Sequence, residues 1–153
     1  MSSGKRDTVI IACVTFEVDK IVSPVLHYEA SRIHLLNSST GEDIYSEFYK
    51  EVCDQIRQKS PKTEIVHHQS KYDPDNGYEG FTVFDFQSVM NEVLCIIETE
   101  KATCNDLPQI FVNISAGTSE YSAASLMASM MHYDIVKPFT VSALEYTVPI
   151  DKV

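Results

Sequence analysis

The chain has 153 residues, of which 44% are hydrophobic and 22% charged, a composition typical of one globular domain. Its 22 Asp and Glu residues outnumber its 12 Lys and Arg residues, so the formal net charge at pH 7 is -10. That charge argues against a surface that binds long nucleic acid through many phosphate contacts, but it leaves open a small nucleotide held by local groups.

The cysteines and the apolar runs indicate the compartment. The 4 cysteines show no CxxC spacing, so we expect reduced thiols. No stretch approaches the roughly 18 apolar residues of a membrane helix, and the first residues lack the apolar core of a signal peptide. We therefore expect a cytoplasmic protein with no membrane segment in this chain, and a single domain over residues 1–153.

Apolar runs alternate with helical periodicity in the first part of the chain. A continuously apolar, β-branched run at 8–15 predicts a strand buried at the centre of a sheet. Residues 18–26 are apolar at helical spacing, and Pro24 either kinks this helix or lies in its first turn. A second strand is expected at 31–36, followed by a polar loop at 37–42.

The middle of the chain continues the alternation. Residues 44–58 predict an amphipathic helix, and 63–69 predict a third strand nearer the edge of the sheet. The stretch 71–80 is rich in turn residues and is expected to be irregular, as either a flap over a site or an inert excursion. A third helix is expected at 86–97, with Asp85 as its N-cap.

The last elements complete the prediction of the fold. An apolar, β-branched run at 110–114 predicts a strand buried on both faces, 121–132 a helix rich in Ala and Met, and 138–148 a final strand. Five strands alternating with four helices indicate a Rossmann-like, doubly wound α/β fold with a mostly parallel sheet and helices on both faces. We predict the strand order 3-2-1-4-5, which places the topological switch between the first and fourth strands.

Two loops should open onto the crevice at this switch. One follows the first strand at 15–17, and the other follows the fourth strand at 115–118. Gly117 supplies a turn, and Thr118 or Ser119 can cap the next helix, whose free N–H groups can hold an anion. The alternative is an ordinary turn whose polar side chains only satisfy the backbone. The candidate ligand-binding residues are Thr15, Phe16, Glu17, Asn113, Ser115, Ala116, Gly117, Thr118 and Ser119.

Other chemistries lack their usual motifs. GxGxxG, GxxxxGK[ST] and GxSxG do not occur in the sequence, which disfavours dinucleotide, P-loop and serine-hydrolase sites. His67 and His68 are adjacent on a predicted strand, so they should point to opposite faces and cannot readily share a metal ion. We expect no metal and no cofactor, and we assign no catalytic residue.

The loop after the fourth strand resembles that of a known family. Asn113, Ser115 and the Gly-Thr pair match the ligand loop of CRISPR-associated Rossmann-fold (CARF) domains, which have Asp or Asn, then Ser or Thr two positions later. The segments 15–22 and 30–36 are similar to the opening of CARF regulators that carry a helix-turn-helix. The family usually has Lys or Arg where this chain has Ser119, and this difference favours a sensor over an enzyme.

The resemblance implies a homodimer that binds one cyclic oligoadenylate, with cyclic tetra-adenylate the expected ring, and so regulates a type III CRISPR antiviral effector. The effector would be fused or separate, because residues 1–153 contain no output domain; the chain is either a fragment of a longer protein or a small stand-alone protein. The first alternative is a metal-independent ring nuclease that cleaves the same messenger. The second is a Rossmann-like enzyme that binds a mononucleotide outside CRISPR immunity.

Overall fold

The computed structural model of the chain describes residues 6–38 and 44–141. Each predicted strand and helix has a counterpart, but the last strand is Val136–Phe139 and shares only 138–139 with the predicted 138–148. Residues 39–42 of the predicted loop and 142–148 of that predicted strand lie outside the described residues. The elements in chain order are β1 (Thr8–Cys13), α1 (Val18–His27), β2 (Arg32–Ser38), α2 (Ile44–Lys59), β3 (Glu64–Asp73), β4 (Gly77–Glu79), α3 (Phe86–Thr103), β5 (Gln109–Asn113), α4 (Ser119–Met131) and β6 (Val136–Phe139).

The strands form one sheet in the order β4-β3-β2-β1-β5-β6. Five of them, from β3 to β6 in that order, are parallel, and Ile10 of the central β1 lies opposite Ile33 of β2 and Phe111 of β5. The predicted doubly wound α/β fold is therefore confirmed, with its five parallel strands in the predicted order. The antiparallel edge strand β4 was not predicted.

The stretch 71–80 is a hairpin, so the expectation of an irregular segment was wrong. Strand β3 continues to Asp73 and pairs with β4, with Tyr72 opposite Tyr78. The Asp73 carboxylate accepts from the Asp75 N–H at 2.9 Å, and Gly77 has a φ of 79°, a left-handed value that favours glycine. The turn residues that suggested irregularity therefore close a tight hairpin between two strands.

Alternation along β1 divides the core between the two faces of the sheet. Val9, Ile11 and Cys13 pack in a cluster that includes residues of α3 and α4, whereas Ile10 and Ala12 pack in a second cluster with residues of α1 and α2. All five of these side chains are buried. Helices therefore cover both faces, and the continuous apolar run of β1 reflects a strand with no solvent-facing side.

A buried ion pair joins β2 to α3. Arg32 donates to both carboxylate oxygens of Glu100, at 2.6 Å from Nη2 and 2.7 Å from Nε, and His34 Nε2 lies 2.5 Å from the same carboxylate. Burial opposes the ionisation of Glu100, but the hydrogen bonds from His34 and Arg32 outweigh it and hold the pKa of Glu100 at about 2. This carboxylate therefore stays charged and ties α3 to the sheet.

The neighbouring histidines point in opposite directions, as predicted. His68 Nε2 lies 2.8 Å from His34 Nδ1, and His68 Nδ1 lies 3.0 Å from Glu92 of α3. The ring of His67 instead stacks on Tyr49 of α2, with ring centroids 3.6 Å apart. Both histidines are therefore accounted for by packing and hydrogen bonding on their own faces of the sheet.

Glu100→Gln should lower the free energy of unfolding at pH 7 by about 3 kcal/mol, because it removes the buried carboxylate that both Arg32 and His34 bond and leaves Arg32 only its longer contacts with Asp7 and Glu64. The pKa of Glu100 is depressed in the folded state, so its contribution is present above its ordinary pKa of 4.5 and is lost as the pH falls towards about 2. Urea denaturation at a series of pH values measures both effects.

The control is Glu98→Gln on the same helix, where the carboxylate is 62% exposed and pairs with His132 at 3.6 Å. Its effect should stay within about 0.5 kcal/mol. A deficit in the Glu100→Gln variant that did not shrink as the pH fell from about 5 to 2 would contradict the role assigned to this carboxylate.

Candidate functional site

A crevice opens at the carboxyl ends of β1 and β5, two neighbouring strands of the sheet. The chain leaves β1 towards β2 and leaves β5 towards β6, so the two connections diverge and leave a gap between them, where open α/β sheets bind ligands. The gap contains a cavity of about 120 Å³. It is lined by Cys13, Val14, Thr15, Phe16, Asn37, Ser38, Val83, Gly117 and Thr118.

The loop between β1 and α1 forms one side of the crevice. The Thr15 hydroxyl accepts from the Glu17 N–H at 3.1 Å, and the Glu17 carboxylate pairs with Lys20 at 2.8 Å. The Phe16 side chain is 72% exposed. Of the three predicted residues, Thr15 and Glu17 thus shape the loop, whereas Phe16 presents a large aromatic surface to the crevice.

Asn113 ends β5 and holds the two loops together. Its buried Oδ1 accepts from the Ser115 N–H at 2.9 Å, and its Nδ2 donates to the Lys20 carbonyl in α1 at 2.8 Å. That carbonyl is the one that an N–H at position 24 would bond in a regular helix, and Pro24 has none. The amide of Asn113 therefore satisfies the group that Pro24 leaves without a donor.

Gly117 and Thr118 shape the start of α4. Gly117 has a φ of 127°, and a Cβ placed there would lie 2.8 Å from Cys13 Cβ, so only glycine fits. Thr118 is the N-cap: its hydroxyl accepts from the Tyr121 N–H at 3.0 Å and donates to the Val83 carbonyl. The hydroxyl of Thr118 is thus used within the protein, as one of the two predicted caps.

Of the remaining predicted residues, Ser115 and Ala116 are used within the fold, whereas Ser119 is exposed. The Ser115 hydroxyl accepts from the Val141 N–H, and Ala116 is buried in the core cluster on the α1 and α2 side. Ser119 is exposed in the first turn of α4. The N–H groups of Ser119 and Glu120 belong to that first turn, which an α-helix leaves without intrahelical acceptors, so they are the natural donors to an anion.

The sequence analysis missed five residues of the cavity, namely Cys13 and Val14 at the end of β1 together with Asn37, Ser38 and Val83. Asn37 and Ser38 belong to β2 and not to the loop predicted there, and their position at the carboxyl end of a strand next to β1 was a usable signal. Val83 lies in the connection between β4 and α3, for which no sequence signal exists. The Ser38 hydroxyl accepts from the Val83 N–H at 2.9 Å, so these residues form a wall.

The cavity is electrically neutral along its described lining, where no side chain carries a formal charge. Burial raises the pKa of the Cys13 thiol to about 12, so this cysteine packs as a small apolar group and is not a nucleophile. The site can therefore bind through backbone N–H groups, one exposed aromatic ring and the dipole of α4.

Over residues 6–38 and 44–141, no helix combines the length and the apolar character that crossing a bilayer requires.

Together the sheet order and the crevice define a Rossmann-like α/β domain. The family model described as HFX_2341_N:-like, N-terminal, matches residues 8–146, so the chain belongs to this family. No curated protein matches the chain.

Two solved structures are similar in fold. One is Can2 from Sulfobacillus thermosulfidooxidans in complex with cyclic tetra-adenylate, with a TM-score of 0.63 and 16% identity over 88% of this chain. The other is Enterococcus italicus Csm6 bound to cyclic hexa-2′-fluoro-hexa-dAMP, with a TM-score of 0.73 and 13% identity over 91% of this chain. The aligned regions cover 32% of Can2 and 34% of Csm6, so this chain corresponds to about a third of each.

Asn113→Ala should destabilise the protein by about 2 kcal/mol, because it leaves the Lys20 carbonyl and the Ser115 N–H without partners. In a Pro24→Ala background the same change should cost about 1 kcal/mol less, since residue 24 then supplies the helical N–H that the Lys20 carbonyl lacks. Urea denaturation of both single variants and the double variant measures this coupling. Strictly additive effects would mean that Asn113 does not replace the donor lost at Pro24.

Proposed function

We propose that this chain is a CARF-type sensor domain that binds cyclic oligoadenylate and regulates a type III CRISPR antiviral effector. The observation that carries the proposal is the crevice between β1 and β5, where the capped start of α4 and the exposed ring of Phe16 meet. The similarity in fold to Can2 and Csm6, each described with a cyclic oligonucleotide bound, supports the same class of ligand here.

The charges of the site fit a compact anionic ligand. The whole chain carries a formal charge of -10, which repels a polyanion at long range. A phosphate at the first turn of α4 meets N–H groups and the positive end of the helix dipole, and these act only at short range. The crevice can therefore select a small ring whose phosphates reach α4 and reject long nucleic acid.

The size of the cavity favours a site shared by two copies of the chain. Its volume is about 120 Å³, below the roughly 300 to 1,000 Å³ of pockets that enclose a small molecule. A cyclic tetra-adenylate is larger than most such molecules. A ring with even symmetry suits a twofold homodimer, in which each crevice holds half of the ligand.

The exposed face of α4 supplies a surface for that dimer. Residues three and four positions apart, one turn along this helix, are apolar and exposed, with Met127 at 51%, Met130 at 60% and Met131 at 59%. A contiguous apolar face of this kind is uncommon on a monomer. The face lies in the last turns of α4, away from the crevice at which the helix begins, and we assign it to a second copy of the chain.

The similarity to Can2 and Csm6 also guides our choice of ligand and of the protein that responds to it. We choose cyclic tetra-adenylate because the Can2 structure is described with that ring, and because the homodimer divides its four nucleotides equally. The neutral lining favours binding over cleavage, since neither a cation nor a general base faces the cavity among the described lining residues. This chain matches about a third of Can2 and of Csm6. We propose that ligand binding is passed on to an effector that is not part of that matching third.

Charge substitutions at Ser119 should shift ligand affinity in opposite directions. Ser119→Asp should weaken binding of cyclic tetra-adenylate about fivefold or more, because it adds a negative charge where the phosphate lies, and Ser119→Lys should strengthen it. Acidic residues in the first turn stabilise a helix, so Ser119→Asp should not lower the thermal stability. Titration calorimetry and thermal denaturation measure the two effects separately.

The matched controls are Gln58→Asp and Gln58→Lys. Gln58 is exposed near the end of α2, and α2 runs antiparallel to the strands, so this residue lies towards the opposite edge of the sheet. Both control variants should bind as the unchanged chain does. Equal affinities for all four variants would place the ligand away from α4.

Met130→Glu should convert a homodimer into monomers, because a charge at the centre of an apolar interface is left without a partner. Leu107→Glu is the control, since Leu107 is 52% exposed but lies before β5 and is not part of α4. Light scattering at micromolar concentration should give a dimer for the unchanged chain and for the control, and a monomer for Met130→Glu. A monomeric unchanged chain, with and without cyclic tetra-adenylate, would exclude the shared site.

A further inference from the structure

Three aromatic side chains form a continuous strip from the hairpin of β3 and β4 towards the crevice. Tyr72 and Tyr78 lie opposite each other in the hairpin, with ring centroids 5.1 Å apart, and the ring of Phe84 follows at 6.1 Å from Tyr78. Tyr72 is 42% exposed and Phe84 39%. We call Tyr72, Tyr78 and Phe84 the aromatic strip.

The end of the strip is fixed beside the cavity. Val83 lines the cavity, and its backbone is held on both sides: its N–H donates to the Ser38 hydroxyl and its carbonyl accepts from the Thr118 hydroxyl. The next N–H, that of Phe84, donates to the Thr82 hydroxyl at 3.2 Å. The backbone that carries the Phe84 ring is therefore anchored to the ends of β2 and α4 that form the crevice.

The hairpin places the rest of the strip above the same edge of the sheet. Ser70 of β3 lies opposite Ser38, the last residue of β2, so Tyr72 lies two residues beyond the end of β2. Two residues of a strand span about 6 to 7 Å. The strip thus extends outward from the carboxyl edge at which the cavity opens.

The charges around the strip indicate which part of a nucleotide it suits. The hairpin contains three exposed acidic residues, Asp73, Asp75 and Glu79, and one lysine, Lys71, which lies opposite Glu79 in the strand register. The hydrogen bond from the Asp75 N–H lowers the pKa of Asp73, so the hairpin is acidic on balance. These carboxylates repel a phosphate, and they also repel the same hairpin of a second copy. A neutral, flat group is the partner that matches both the aromatic rings and the acidic surroundings.

We propose that the aromatic strip stacks a purine base of the bound nucleotide, while the phosphate of that nucleotide lies at the start of α4. This inference rests on the proposed function, and it adds the part of the site that recognises the base. Stacking of a base on an aromatic side chain contributes substantially to nucleotide binding and tolerates an acidic neighbourhood, because the base carries no charge at neutral pH.

The first test compares Phe84→Ala with Phe86→Ala by titration calorimetry with cyclic tetra-adenylate. Phe86 is a matched control because it is 38% exposed, only two residues away, and outside the ring contacts of the strip in the described residues. Phe84→Ala should weaken binding about tenfold, the loss expected when one base loses its stacking partner. Phe86→Ala should leave the affinity unchanged.

The second test uses a fluorescent reporter that keeps an aromatic ring. The chain contains no tryptophan, so Phe84→Trp introduces a single indole at the end of the strip. Cyclic tetra-adenylate should quench its emission, since a base stacked on the indole is in direct contact with it, and affinity should be retained. Phe86→Trp should show little quenching at the same ligand concentration.

The outcomes separate this inference from the function on which it rests. If the unchanged chain binds cyclic tetra-adenylate, and Phe84→Ala binds equally well while Phe84→Trp is not quenched, the strip is not a base site and the sensor function stands. If the unchanged chain does not bind the ring, both proposals fail. If Phe84→Ala does not fold, as judged by circular dichroism, quenching in Phe84→Trp decides the matter.

Discussion

The side-chain amide of Asn113 connects the two halves of the crevice. It is fully buried and bonds both the turn that precedes α4 and the Lys20 carbonyl in α1. Pro24 makes this contact possible, because it denies that carbonyl its usual helical donor. Pro24, which would otherwise only disturb the helix, therefore leaves the Lys20 carbonyl free to accept from Asn113. This hydrogen bond fixes the distance between the loops that follow β1 and β5.

The opposite wall of the crevice is built from polar groups that bond one another. Ser38 at the end of β2 and Thr118 at the start of α4 both bond the backbone of Val83. That backbone leads into α3, which the Glu100 carboxylate holds against the sheet through Arg32. Hydroxyls near the cavity are thus used to position the walls, and backbone N–H groups and aromatic rings are left to meet a ligand.

This division is compatible with the anionic ligand that we propose for an acidic chain. Basic side chains are not needed at the cavity, because the first turn of α4 offers oriented N–H groups and a local positive potential. The carboxylates lie elsewhere, including on the hairpin of β3 and β4, where they surround aromatic rings. In the binding mode that we propose, these parts of the surface would meet different parts of a nucleotide, with the phosphate at the helix and the base away from it.

The sequence by itself determined the strand order and the loops at the crevice, because continuous β-branched runs mark buried parallel strands and right-handed crossovers restrict their order. It also pointed to Asn113, Gly117 and Thr118, whose residue types suit a strand-to-helix turn. Only the tertiary structure decided that Asn113 bonds α1, that Val83 forms a wall, and that 71–80 is a hairpin. These features depend on contacts between residues far apart in the chain, and local propensity and periodicity contain no information about such contacts.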